Sequence, residues 1–218
     1  TGLPSCMPNM PNDVTHAELV ARFSSLPLDF DPGTDWRYNN SGYYLLGMIV
    51  EAASGDRYAD YLEAHLFGPA GMNHSDYETS ATPRAEGYRR NGDTFSVAGP
   101  ISMTQPFSAG ATASTAPDLI RWQRALVNGA LDPPDAFERI TSDAVDAGGG
   151  RERYGFGIGM AELGGRRVIS HGGGINGFAS LLAYFPESDH TFVIRANTEG
   201  FNAGGVLSQL TRALLPEE

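Results

Sequence analysis

A chain of 218 residues is long enough for one domain with a substantial apolar core. Its net charge of −11 excludes a phosphate-rich surface as a partner, because nucleic acid and anionic lipid are recognised by clustered cations. The longest apolar run, "YYLLGMIV", falls far short of the ~20 residues a membrane-spanning helix needs.

The single cysteine, Cys6, rules out an internal disulfide and reads as structural. All 15 basic residues are arginine, so the chain carries no lysine. The opening "TGLPSCMPNMPND" has no basic stretch followed by an apolar one, which is the pattern of a signal peptide, and it reads as the middle of a longer sequence.

In chain order, "THAELVARFSS" predicts a short helix with Thr15 and Glu18 as a capping box. Residues 41 to 54 predict the clearest helix: Leu46, Ile49, Val50 and Ala53 recur at i, i+3, i+4 and i+7, and Gly55 can end it. "RYADYLEAHLF" predicts a further helix. Residues 68 to 113 are rich in Gly, Pro, Ser and Thr and predict a long irregular region with short strands at most.

"STAPDLIRWQRALVNG" predicts a helix capped by Ser114 or Thr115, with Leu119, Trp122 and Leu126 on one face. From residue 153 the period becomes two, and four antiparallel strands are expected: "RYGFGIGMAEL", "RRVISHGGG", "FASLLAYFPE" and "HTFVIRANT". "NAGGVLSQLTRALL" closes the chain as an amphipathic helix suited to cover the sheet.

Four stretches are candidates for chemistry: Tyr38-Asn39-Asn40 at a helix start, "PFSAGATAST", "SHGGGINGF" and Arg166-Arg167. Taken alone, the first is an asparagine cap with a packed tyrosine and the last a solvated turn. Glycines after a strand let a ligand approach backbone N–H groups, which an oxyanion site requires. His16, His65 and His74 have no metal-ligand spacing, and neither a G-x-S-x-G elbow nor a phosphate loop is present.

Taken in order, "TGLP", "PGTDWRYNNSGYYLLGMIVE", "YLEAHLFGPAGM", "FSAGATASTAPDLIRW", "YGFGIG" and "HGGGINGFASLLAYFPESD" resemble the serine β-lactamase and penicillin-binding-protein superfamily. The likeness is to class C β-lactamases, DD-peptidases and β-lactamase-like esterases. It implies an α/β (α+β) β-lactamase/transpeptidase-like fold: one domain over 1–218, incomplete at its N-terminus. Residues 1–145 would form a helical and loop lobe, and 150–218 an antiparallel sheet with a C-terminal helix.

By that resemblance Tyr38 and Asn40 match the Tyr-x-Asn motif, Tyr38 moving a proton and Asn40 binding the acyl side chain. His171-Gly172-Gly173 matches the Lys-Thr-Gly element, with the Gly174 N–H as an oxyanion donor and Gly172, Gly173 and Asn176 binding substrate. Near neutral pH histidine is mostly uncharged, so a substrate carboxylate would be held less firmly than by lysine.

The family's Ser-x-x-Lys motif cannot be written in a chain without lysine. The expectation is therefore the C-terminal part of a serine acyl hydrolase, with Ser and Lys supplied from outside this chain. A phenol titrates near ~10 and needs a neighbouring cation to act as a base, so this chain alone is expected to be inactive.

The implied partners are a small-molecule ester, amide or β-lactam and the missing N-terminal segment, with no nucleic acid and no membrane span. No cofactor and no metal is implied. The compartment would be periplasmic or secreted for a lactamase or peptidase and cytoplasmic for an esterase. Two alternatives stand beside this: a non-catalytic peptide- or acyl-binding domain, and an independent hydrolase using Ser41 or Ser108.

Overall fold

The computed structural model describes residues 1–8, 10–77, 85–147 and 153–215. In chain order these form α1 (His16–Ala21), α2 (Asn40–Ser54), α3 (Tyr58–Leu62), a π-helical turn (Glu63–Phe67), α4 (Gly68–Ala70), β1 (Asp76–Tyr77), β2 (Tyr88–Asn91) and β3 (Thr94–Val97). There follow a 3₁₀ turn (Phe107–Ala109), β4 (Thr112–Ala113), α5 (Ala116–Val127), α6 (Ala136–Ser142), β5 (Val145–Asp146) and β6 (Arg153–Gly155). The chain ends with β7 (Ile158–Leu163), β8 (Arg166–Ile175), β9 (Phe178–Phe185), β10 (His190–Ala196) and α7 (Ala203–Leu214).

Two compact units result. The first comprises Thr1–Gly68, Ser75–Arg84 and Gly99–Ala113; the second comprises Pro69–His74, Ala85–Ala98 and Ser114–Glu218.

In the first unit α1 opens with the expected capping box, in which Thr15 Oγ1 accepts from the Glu18 N–H and the Glu18 carboxylate accepts from the Thr15 N–H. Those hydrogen bonds hold the exposed Glu18 carboxyl below the usual carboxylate range. The core gathers Leu19, Phe23, Tyr44 and Phe107, with Cys6, Met48, Tyr58 and Tyr77 packed against it. Phe107 is its hub, its ring centroid lying 5.0 Å from Tyr44 and 5.1 Å from Tyr58.

Helix α2 departs from the simplest reading of its sequence. It buries Ser41, Tyr44 and Gly47, and it leaves the apolar stripe outside, with Leu46 51% and Ile49 60% exposed. The reason is Gly47: a Cβ there would stand 2.2 Å from Ser108 Oγ, so only glycine admits the 3₁₀ turn against the helix. The Ser108 hydroxyl then donates to the Tyr43 carbonyl at 2.8 Å.

The second unit is built on a six-stranded antiparallel sheet in the order β10-β9-β8-β7-β6-β5. Side chains alternate across it. Val168, Ala183, Phe185 and Ile194 meet Ala203, Leu207 and Leu215 from α7 and the residue that follows it. Met160, Ile169 and Tyr184 join Ala144, Val127 and Phe137, from α5 and α6 and the segment after them. Burying each such large aliphatic or aromatic side chain contributes about 1.5–3 kcal/mol.

The sequence "RYGFGIGMAEL" forms two strands rather than one, because Phe156-Gly157 turns the chain between β6 and β7 with both residues at positive φ. "RYADYLEAHLF" likewise divides into α3 and the π-helical turn. The hairpin β2–β3, inside the stretch expected to be irregular, docks on the sheet end through a parallel bridge from Tyr88 to Thr198. The Tyr88 N–H donates to the Asn197 carbonyl at 3.0 Å, and the Glu199 N–H donates to the Tyr88 carbonyl at 2.9 Å.

Candidate active site

In the first unit the Tyr38-Asn39-Asn40 triplet divides its labour. Asn39 is the helix cap: its carboxamide oxygen accepts the Gly42 N–H at 2.6 Å, and its amide nitrogen donates to the Leu3 carbonyl. The segment 3–6 is laced to the same helix start. Ser5 Oγ accepts the Asn40 N–H at 3.2 Å, and the Cys6 N–H donates to Ser41 Oγ at 2.9 Å.

Asn40 is thereby fixed as the first helical residue, and its carboxamide makes no hydrogen bond among the described residues. Tyr38, one residue before the cap, is 43% exposed. Burial pushes the neighbouring Tyr43 phenol above its ordinary range, and the Tyr38 phenol adds to that shift.

Neither serine considered as an internal nucleophile is available. Ser41 is wholly buried with its hydroxyl occupied by Cys6, and the Ser108 hydroxyl is held between the carbonyls of Tyr43 and Tyr44. Cys6 packs against the core of this unit.

In the second unit His171, Gly172, Gly173 and Gly174 lie on β8, and Asn176 begins the two-residue turn to β9. The pairing of β8 with β7 ends at Gly159↔Ser170, whereas its pairing with β9 continues to Ile175↔Phe178. Closing pairs of two-residue hairpins are hydrogen-bonded pairs, and the alternation is strict from there.

Counting from either turn, residues 169, 171, 173 and 175 bond to β9. The backbone groups of Gly172 and Gly174 therefore point to the side on which β7 has stopped.

Gly174 is glycine for no reason internal to the unit. Its φ is not positive, and nothing lies within 4 Å of where a Cβ would stand. Glycine inside a strand marks a place where a ligand or another backbone comes close. Gly173 has a packing reason, since a Cβ would meet Ser180 Oγ at 2.8 Å. Gly177, at φ +83, is required by the turn and by Gly87, whose Cα would lie 2.6 Å from a Cβ.

The His171 ring is positioned by Tyr154 of β6, whose phenol oxygen lies 3.0 Å from Nε2, the rings meeting edge to face at 6.0 Å. Tyr154 is 7% exposed. Sequence reasoning assigned it nothing, although "YGFGIG" was among the segments carrying the resemblance. Tyr38 and Asn40 thus stand in one unit, and His171, Gly172, Gly173, Gly174 and Asn176 in the other. No group of three or more His, Cys, Asp or Glu suited to a metal occurs among the described residues.

A family model described as Beta-lactamase matches residues 1–214. The D-aminopeptidase of Brucella ovis is 27% identical over 188 residues, covering 85% of this chain and 36% of the relative. The chain therefore spans little more than a third of the curated relatives it matches.

Among solved structures, a penicillin binding protein from Bacillus halodurans superposes with a TM-score of 0.78 at 26% identity, covering 91% of this chain and 62% of that one. The D-amino acid amidase from Ochrobactrum anthropi SV3, complexed with L-phenylalanine amide, gives 0.81 at 26%, covering 99% and 68%. The mixed helical and antiparallel architecture is that of the β-lactamase/transpeptidase-like fold. With the family model matching almost end to end, the chain belongs to the Beta-lactamase family of hydrolases.

Proposed function

We propose that this chain is the C-terminal part of a serine acyl hydrolase that works through an acyl-enzyme on amides of D-amino acids or short peptides bearing them. The serine and lysine come from polypeptide outside these 218 residues. Tyr38 transfers the proton, Asn40 binds the acyl side chain, and His171, Gly172, Gly173 and Asn176 hold the substrate. The Gly174 N–H faces the developing oxyanion, where a placed donor is worth several kcal/mol, about 2.7–4 by mutation of comparable donors.

The single observation that carries this reading is the end of β8. Gly172 and Gly174 turn their backbone groups away from β9 past the last pair with β7, and Gly174 is spared a side chain that its own unit has room for. The amide class is supported by the names of the relatives, a D-aminopeptidase and a D-amino acid amidase.

Two features support a contribution from outside the chain. The apolar stripe of α2 is bare at Leu46 and Ile49, and no strand pairs with the outer edge of β10 among the described residues. Such an edge and such a stripe are ordinarily covered. A hydrolase needs that complement; the absence of lysine equally suits a domain that only binds the acyl group or peptide.

The test is hydrolysis of D- and L-amino acid amides by this chain combined with an upstream segment carrying Ser-x-x-Lys. Turnover of the D-amide that disappears with Asn40→Ala supports the hydrolase. Binding of the amide without turnover by the combined protein supports the binding domain.

A further inference from the structure

Resting on that reading of His171, we infer that Tyr154 is a positioning residue that fixes the proton of the neutral His171 imidazole on Nδ1. The phenol is almost wholly buried on β6, between its pair partners Val145 and Gly159, and its oxygen lies 3.0 Å from Nε2. A buried hydroxyl needs a partner, and a phenol is a good donor to an unprotonated ring nitrogen. Donation to Nε2 leaves the ring proton on Nδ1, since the partner of one nitrogen selects the state of the other.

The consequence concerns the substrate class. Free histidine prefers the Nε2–H tautomer, so without Tyr154 the ring would present a mixture. With the phenol donating to Nε2, the neutral form of the His171 ring has its one N–H at Nδ1. That donor suits the carbonyl oxygen of an amide or ester, and it suits a free carboxylate less well than an ammonium would. Substrates whose C-terminal side is an amide are thus preferred over those ending in a carboxylate.

The experiment is long-range ¹H–¹⁵N spectroscopy of the labelled 218-residue chain in mildly alkaline buffer, with His171 assigned by loss of its signals in His171→Gln. The expected wild-type pattern is a protonated Nδ1 and an unprotonated Nε2. An Nε2–H pattern in the wild type overturns the inference by itself, whether or not any variant folds.

Tyr154→Phe keeps the ring and removes the donor, and is expected to shift the pattern toward the mixture of free histidine. Phe137→Leu loosens packing in the core beneath the sheet without touching the hydroxyl, and is expected to leave the pattern unchanged. An unaltered tautomer in Tyr154→Phe, or an equal change in Phe137→Leu, overturns the assignment. None of these readouts involves hydrolysis, so failure of the proposed activity and failure of this inference are separately visible.

Discussion

The carboxamide oxygen of Asn39 accepts the N–H of Gly42 at 2.6 Å, and so the middle residue of the Tyr-x-Asn triplet, not the last, caps α2. Stability and function are therefore expected to separate between neighbours. Asn39→Ala should lower unfolding stability by about 1–2 kcal/mol, for a lost cap and the lost tether to Leu3. Asn40→Ala keeps its backbone bond to Ser5 and should change stability by less than about 0.5 kcal/mol while abolishing amide turnover in the complemented protein. Urea denaturation of the two variants checks the first half of this contrast.

Gly47 lies inside a helix, where alanine ordinarily adds about 1 kcal/mol. Here the added Cβ would fall 2.4 Å from Ser108 Cβ, an approach no rotamer change relieves. Overpacking of this kind costs about 1–3 kcal/mol, and displacing the turn also breaks the Ser108 bonds to α2 at about 1 kcal/mol. Gly47→Ala should therefore destabilise by roughly 1–3 kcal/mol; a rise in melting temperature would show that the helix and turn are not in contact.

The glycines near the end of β8 should respond differently to the same change. Gly174→Ala meets open space and should leave unfolding stability within about 0.5 kcal/mol of wild type. Gly177→Ala must adopt φ +83 against the Gly87 backbone and should lose about 2 kcal/mol or more. In the complemented enzyme Gly174→Ala should reduce kcat far more than its stability change explains.

Burial raises the Tyr77 phenol from its ordinary 10 to about 12, with Tyr44, Glu51 and Tyr58 adding to the shift. Burial likewise raises Tyr58, and raises Tyr44 with help from Glu51. A raised pKa in the folded state holds the neutral form. The associated stability is complete below pH 10 and is lost as pH climbs through about 12. At about 1.4 kcal/mol per pH unit the ceiling for Tyr77 is about 2–3 kcal/mol, and solvent screening of this half-buried phenol brings its contribution well below that. Denaturation midpoints should fall steeply above pH 10, and less steeply in Tyr77→Phe; a flat profile across that range would exclude the account.

Much of the architecture was legible because periodicity and caps are local. Thr15 with Glu18, Gly55 after α2, and the alternation along β8, β9 and β10 each announced an element within a residue or two of its observed end. What was not legible depended on partners distant in sequence. Leu46 and Ile49 trace a helical stripe, yet Gly47 decides which face of α2 is buried, through a turn some sixty residues later.

The split between β6 and β7 was hidden because Phe156 occupies a left-handed turn position that asparagine or glycine usually fills. Among the candidate residues, the family resemblance pointed to Tyr38, Asn40 and His171. Tyr154 was invisible, since its meaning lies in a hydrogen bond across the sheet.

The measurement that bears most directly on the central claim is intact-mass spectrometry after fluorophosphonate treatment, with this chain combined with an upstream segment bearing Ser-x-x-Lys. The account predicts a single adduct on the added segment, abolished when its serine is replaced, with the 23.3 kDa chain unmodified. An adduct on this chain, or a stable complex that neither reacts nor hydrolyses any D-amino acid amide, would contradict it.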